Sequence, residues 1–147
     1  MLTAIQTAAF ASDDIEKYNL PKEYQTPKIL IYELTDDDKA MMAWDKFQRA
    51  YTQLNLSNKQ TIKAQEILIK GMQEINSIQY DISAKEVQIE RIKLTRLAPD
   101  AQKAQIDAVN AEISALNKKI CIVYHKSTAD FEAILTKKQL GKYKKLP

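Results

Sequence analysis

From residue 58 onward, apolar side chains fall at alternating intervals of three and four over two successive long stretches. In the first, Leu68, Ile75, Ile82 and Ile89 repeat every seven residues, and Ala64, Gly71, Ile78 and Ile92 hold the companion position three further on, with Lys85 as the one polar intruder. In the second, Ile106, Val109, Ile113, Leu116, Ile120 and Val123 keep the spacing without a break, and Ser127 and Ile134 extend it. This is a heptad seam, the period that keeps one stripe of a helix turned toward a partner helix. It predicts a helix from Asn58 to about Leu97 and a second from about Ala101 to Ile134. Pro99 and Asp100 lie between, and the residue before a proline resists helical dihedrals. A turn is expected there, laying the two rods antiparallel at a crossing angle of about 20°.

Two shorter helices flank the hairpin. Thr35 followed by Asp36, Asp37 and Asp38 is a helix start, with a hydroxyl cap and three carboxylates at the positive end of the helix dipole. That helix is predicted to run to about Gln53, with Met41, Trp44, Phe47 or Gln48, and Tyr51 on one face. Residues 137–146 predict a final short helix. Residues 12–34, with Pro21 and Pro27 among scattered tyrosines, hold no period and read as an extended arm. Two glycines and four prolines in 147 residues leave little turn chemistry for a sheet. The expected fold is all-α, with residues 35–147 a single helical domain.

One short pattern occurs twice, as LSNKQ at 56–60 and LTKKQ at 135–139. Each places a hydroxyl at a helix start and a glutamine three residues on, so Ser57 with Gln60 and Thr136 with Gln139 are predicted capping boxes. Leu135 is placed to staple onto Leu140; Leu56 has only Thr61 in that position. The two copies, the proline-bearing turn between two long amphipathic helices, and AILTKKQLGKYKKL opening the last helix together resemble the Spy/CpxP family of exported helical proteins, named by its LTxxQ motifs. The likeness covers residues 54–146, and the first copy departs from the motif with Ser57 in place of threonine.

The resemblance implies a periplasmic, ATP-independent chaperone built as a thin, curved, all-helical homodimer that holds unfolded envelope proteins. A second expectation is a regulatory accessory protein that binds the sensor domain of an envelope-stress kinase, and a third is a structural coiled-coil scaffold. The residues supply a candidate client surface, because more apolar side chains are present than one seam can use. Ile62, Ile67, Ile69, Met72, Val87, Leu94 and Leu97 fall off the stripe in the first long helix, Ile122 and Tyr124 in the second. The candidate binding set is Ile62, Ile69, Met72 and Leu97 interleaved with Lys63, Lys70, Lys85, Arg91 and Lys93. Lysine stems can lie along apolar surface with the charge in water. The first and last helices, or a second subunit, are the alternative cover for these residues.

The segment MLTAIQTAAFASDD ends its apolar stretch in Ala9-Phe10-Ala11, a small-x-small pattern before a polar run. It reads as the remnant of an export signal at 1–11, lacking a basic start, and agrees with a periplasmic destination. Charge is uneven: residues 12–53 carry nine acidic and six basic side chains, residues 54–147 ten and sixteen. The basic end is the expected contact surface, for acidic or unfolded polypeptides and not for nucleic acid, whose binders concentrate charge further. No run reaches membrane-span length, so no stable membrane insertion is expected. With one histidine and one cysteine, no nucleophile, base and orienter can be assembled, and neither an enzyme nor a cofactor is expected. Cys121 and His125 share a helix face and could offer two metal ligands, where a closed zinc site needs four. The lysine-rich end at 137–145 is a solvated tail or a contact for anionic lipid or an acidic sensor domain.

Overall fold

The computed structural model describes residues 33–147. The expected export-signal remnant at 1–11 lies outside the described residues. So does the expected arm, apart from Glu33 and Leu34, which are non-helical and exposed. The described residues are all-α, 83% helical in four helices with no strand. In chain order these are α1 (Asp36–Ala50), α2 (Asn58–Lys93), α3 (Pro99–Ala133) and α4 (Lys137–Lys145).

Helix α1 begins where the hydroxyl and carboxylates predict. The Asp38 amide donates to Thr35 Oγ1 at 3.1 Å, and the Thr35 amide donates back to the Asp38 carboxylate at 3.0 Å. Its inward face differs by one position from the expected one: Ala40, Trp44, Phe47 and Ala50 are buried, and Met41 is exposed. Hydropathy alone favoured Met41, but the alanines at 40 and 50 let the α1 backbone come close to its neighbours, and that register carries Trp44 and Phe47 inward.

The 36 residues of α2 make a rod about 54 Å long at 1.5 Å per residue, and α3 returns beside it for 35 residues. The predicted seam is the contact: Ala64, Gly71, Ile75, Ile92, Val109, Ile120, Val123 and Ser127 are buried, with Leu68, Ile78, Ile82, Ile89, Ile106, Ile113 and Leu116 half-buried between them. Lys85 occupies its seam position by pairing across the hairpin with Glu112. Helix α2 ends at Lys93, four residues short of the expected Leu97. Ala98 is extended before Pro99, so residues 94–98 are needed to reverse the chain. The carbonyls freed at the end of α2 are taken up locally. Gln102 Nε2 donates to the carbonyls of Ile92 and Lys93 at 3.0 and 3.2 Å, and Thr95 Oγ1 donates to Ile92 at 2.6 Å.

The seam of α3 does not skip from Ser127 to Ile134; Phe131, between them, is fully buried. It stacks on Phe47 with ring centroids 4.2 Å apart and meets Tyr143 of α4 edge-on at 5.4 Å. Trp44 joins Phe47 edge-on at 5.8 Å and leans on Tyr124 at 5.5 Å. This run of five rings binds α1, α3 and α4 into one core. Two seam residues are small for a reason that the heptad pattern does not reveal. A Cβ on Gly71 would lie 2.8 Å from the Trp44 indole and 2.9 Å from Ser127 Oγ, so the indole occupies the space that side chains would fill.

The core cluster draws on α1, the α1–α2 link, α2 as far as Ile75, α3 from Ile120, and Tyr143. Beyond it, Ile92 and Val109 are buried in the hairpin seam. The described residues therefore form a root of four packed helices and an arm of two.

Candidate functional site

Both predicted capping boxes form. The Gln60 amide donates to Ser57 Oγ at 3.2 Å, and the Ser57 amide donates to Gln60 Oε1 at 2.9 Å. Gln139 and Thr136 repeat these two bonds at the same lengths. Leu56, Leu135 and Leu140 are half-buried against the core.

Sequence reasoning missed what the glutamines do next. Antiparallel packing brings the end of α3 beside the start of α2, so the two motifs meet. Gln60 Nε2 donates to Gln139 Oε1 at 2.7 Å, and Gln139 Nε2 donates to Gln60 Oε1 at 3.1 Å. The second hydrogen of each amide reaches the carbonyl two residues before the other motif's cap: Gln60 to Ile134 at 2.8 Å and Gln139 to Asn55 at 3.1 Å. Each side-chain amide thus uses its full capacity of two donors and two acceptors. The result is a clasp with local two-fold symmetry that ties residues 55–60 to residues 134–139. The repeat itself was the available signal, since equivalent motifs at the same end of an antiparallel hairpin are brought to one place.

The second feature lies on the outside of α2. Ile62, Ile69, Met72, Tyr80, Val87 and Leu94 are exposed, Tyr80 at 77% and Leu94 at 85%. Ile62 with Ile69, and Tyr80 with Val87 and Leu94, are spaced by seven, so they line one edge roughly 150° around the helix from the seam. Lys63 and Lys70, with Glu66 between them, border the first half of this row, and Arg91 stands beside its last turn, all exposed. Two of the expected members sit elsewhere: Lys85 faces Glu112 in the seam, and Leu97 belongs to the turn, outside the helix, whereas Lys93 stays exposed on α2 and bonds to Glu90 at 3.0 Å. Tyr80 belongs to the row as well, and its seven-residue spacing to Val87 and Leu94 is the sequence signal for it. Of the other off-stripe residues, Ile122 is exposed, whereas Ile67 and Tyr124 are covered by the core.

The chain matches no protein-family model, no curated protein and no solved structure. Its chemistry must therefore be judged from its own residues. Cys121 is half-buried, and its thiol is pushed up first by that burial and then by the Asp37 side chain beside it, which works against the thiolate that a metal requires. His125, one turn on, is exposed. Among the described residues no three His, Cys, Asp or Glu side chains gather as a metal site would need. No helix among the described residues is long and apolar enough to cross a membrane.

Proposed function

We propose that the protein is a periplasmic chaperone of the Spy/CpxP kind, which holds unfolded envelope polypeptides without nucleotide and so keeps them from aggregating. The observation that carries this reading is the exposed apolar row on α2, set on a helix whose other side is fully engaged. Apolar contact contributes about 25 cal/mol per Å² removed from water. A row of separate side chains therefore gives many weak contacts, suited to capture with release. Lys63, Lys70 and Arg91 add attraction for acidic segments, which raises the rate of encounter more than the final affinity. The rigid seam and the glutamine clasp keep the row straight and presented to solvent.

The test is light scattering of a reduced or heat-denatured client without ATP, comparing the wild type with Ile69→Ser/Tyr80→Ser/Val87→Ser. These side chains are exposed, so helicity and melting are expected to hold while protection falls several-fold. Undiminished protection by the triple variant overturns the assignment. The seven-residue spacing also suits a second copy of the chain as occupant. Sedimentation decides: a wild-type dimer that the triple variant dissociates, with client protection retained, gives the row to self-association. Binding confined to one folded sensor domain, with no client protection, would instead identify a regulator of stress signalling.

A further inference from the structure

We propose that the root end of the molecule, α4 together with the last turns of α1, associates peripherally with anionic phospholipid bilayers. Helix α4 carries five lysines and no carboxylate in nine residues. Its apolar side is already used, since Tyr143 is buried against Phe131, and Leu140 and Leu146 pack on the same core. What remains outward is Lys137, Lys138, Lys142, Lys144 and Lys145 around Gly141, all exposed. None of the five forms an ion pair among the described residues.

Two of these charges work against the fold. Lys137 and Lys138 occupy the first turn of α4, where the helix dipole is positive and cations are unfavourable. The Thr136–Gln139 box already satisfies that helix start, so stability does not account for them. Tertiary structure then enlarges the patch. Lys46 Nζ lies 4.9 Å from the centroid of the Tyr143 ring, and Arg49 Nη2 donates to the Pro147 carbonyl at 3.2 Å. Both α1 cations therefore border α4, with Asp45 the acidic residue among them in sequence.

The composition of the patch selects its occupant. Six of the seven cations are lysines, compact hydrated charges on flexible stems, which suit a diffuse array of phosphates better than one carboxylate held by a guanidinium fork. The outward side of α4 offers no aromatic ring on which bases could stack and no apolar anchor of the kind that peptide recognition relies on. A surface of lipid headgroups requires neither. Because the helix's apolar face is turned into the core, contact is electrostatic and superficial, without insertion.

Cosedimentation of the full chain with phosphatidylglycerol–phosphatidylcholine vesicles tests this. Binding is expected at low ionic strength, absent on pure phosphatidylcholine, and lost as screening shortens from about 10 Å at 0.1 M salt to about 3 Å at 1 M. Lys137→Gln/Lys138→Gln is expected to weaken binding about thirtyfold, at about fivefold per lysine, with an unchanged or higher melting temperature. Arg96→Gln/Lys103→Gln removes equal charge from the far end of the hairpin, where both side chains are exposed, and is expected to bind as the wild type does. Equal binding to neutral vesicles, equal loss in both double variants, or displacement from vesicles by polyglutamate at matched charge overturns the proposal, the last by giving the patch to acidic polypeptides.

Discussion

Residue 71 shows how one missing side chain can organise a core, because the indole of Trp44 sits where any Cβ would project, against Ser127 on the facing helix. Gly71→Ala is expected to lower stability by about 1–3 kcal/mol through overpacking, although alanine gains about 1 kcal/mol in helix propensity. Gly141→Ala, with open space around it, isolates that propensity and is expected to raise the melting temperature. Thermal melts of the two variants should move in opposite directions, and parallel shifts would deny the close approach of Trp44. The glutamine clasp is also a residue-scale device. Gln60→Ala and Gln139→Ala are each expected to cost about 2 kcal/mol in lost hydrogen bonds. Each strands the other glutamine's amide, a penalty that disappears when both are removed, so in denaturant titrations the double variant should cost about 1 kcal/mol less than the two singles added. Strict additivity would separate the motifs. Tyr143 gives a pH signature, since burial, and then Glu132, push its phenol up to about 12 from an ordinary value near 10. The folded state keeps a proton that the unfolded chain releases, so this contribution is complete below about pH 10 and is lost as pH rises toward 12. Tyr143→Phe should lose less melting temperature over that window than the wild type does.

Among the elements, α2 and α3 are matched rods whose seam tolerates one charge. Lys85 reaches across to Glu112, which is itself half-exposed. A pair this exposed contributes little, whereas a hydrocarbon at that seam position would pack against α3, and removing the lysine leaves Glu112 in contact with water. Lys85→Leu is therefore expected to raise stability by about 1 kcal/mol, measured by thermal or urea unfolding. A fall would show that the pair holds the register of the hairpin. The turn follows from the same economy of polar groups, with Gln102 and Thr95 covering carbonyls that α2 would otherwise leave bare at its end.

On the scale of the whole molecule, the difference between root and arm sets the dynamics. At the root, aromatic rings from three helices share one core; in the arm, among the described residues, two helices pack on each other. Local opening costs less where fewer apolar contacts must separate. Amide exchange is expected to be faster in residues 79–92 and 103–113 than in 64–75 and 120–131, as hydrogen–deuterium exchange with peptide mapping would record. Uniform protection would mean that something covers the arm in solution. The functional consequence is a division of surface: the apolar row spans root and arm along α2, while the lysine patch stays at the root.

The sequence by itself determined the four helices, the caps of α1, α2 and α4, and the stripe that joins α2 to α3. Those features depend on spacing along the chain, and a period of three and four or a hydroxyl three residues before a glutamine is visible without any fold. Only tertiary structure decided which side of α1 turns inward, that Gly71 and Ser127 make room for Trp44, that Phe131 completes the seam, and that Gln60 and Gln139 clasp one another. Each of these joins residues far apart in sequence, and which pairs meet is set by how the helices pack. The same cause divided the off-stripe residues. Tyr124 and Ile62 look alike as sequence, but α1 lies over one and leaves the other in water.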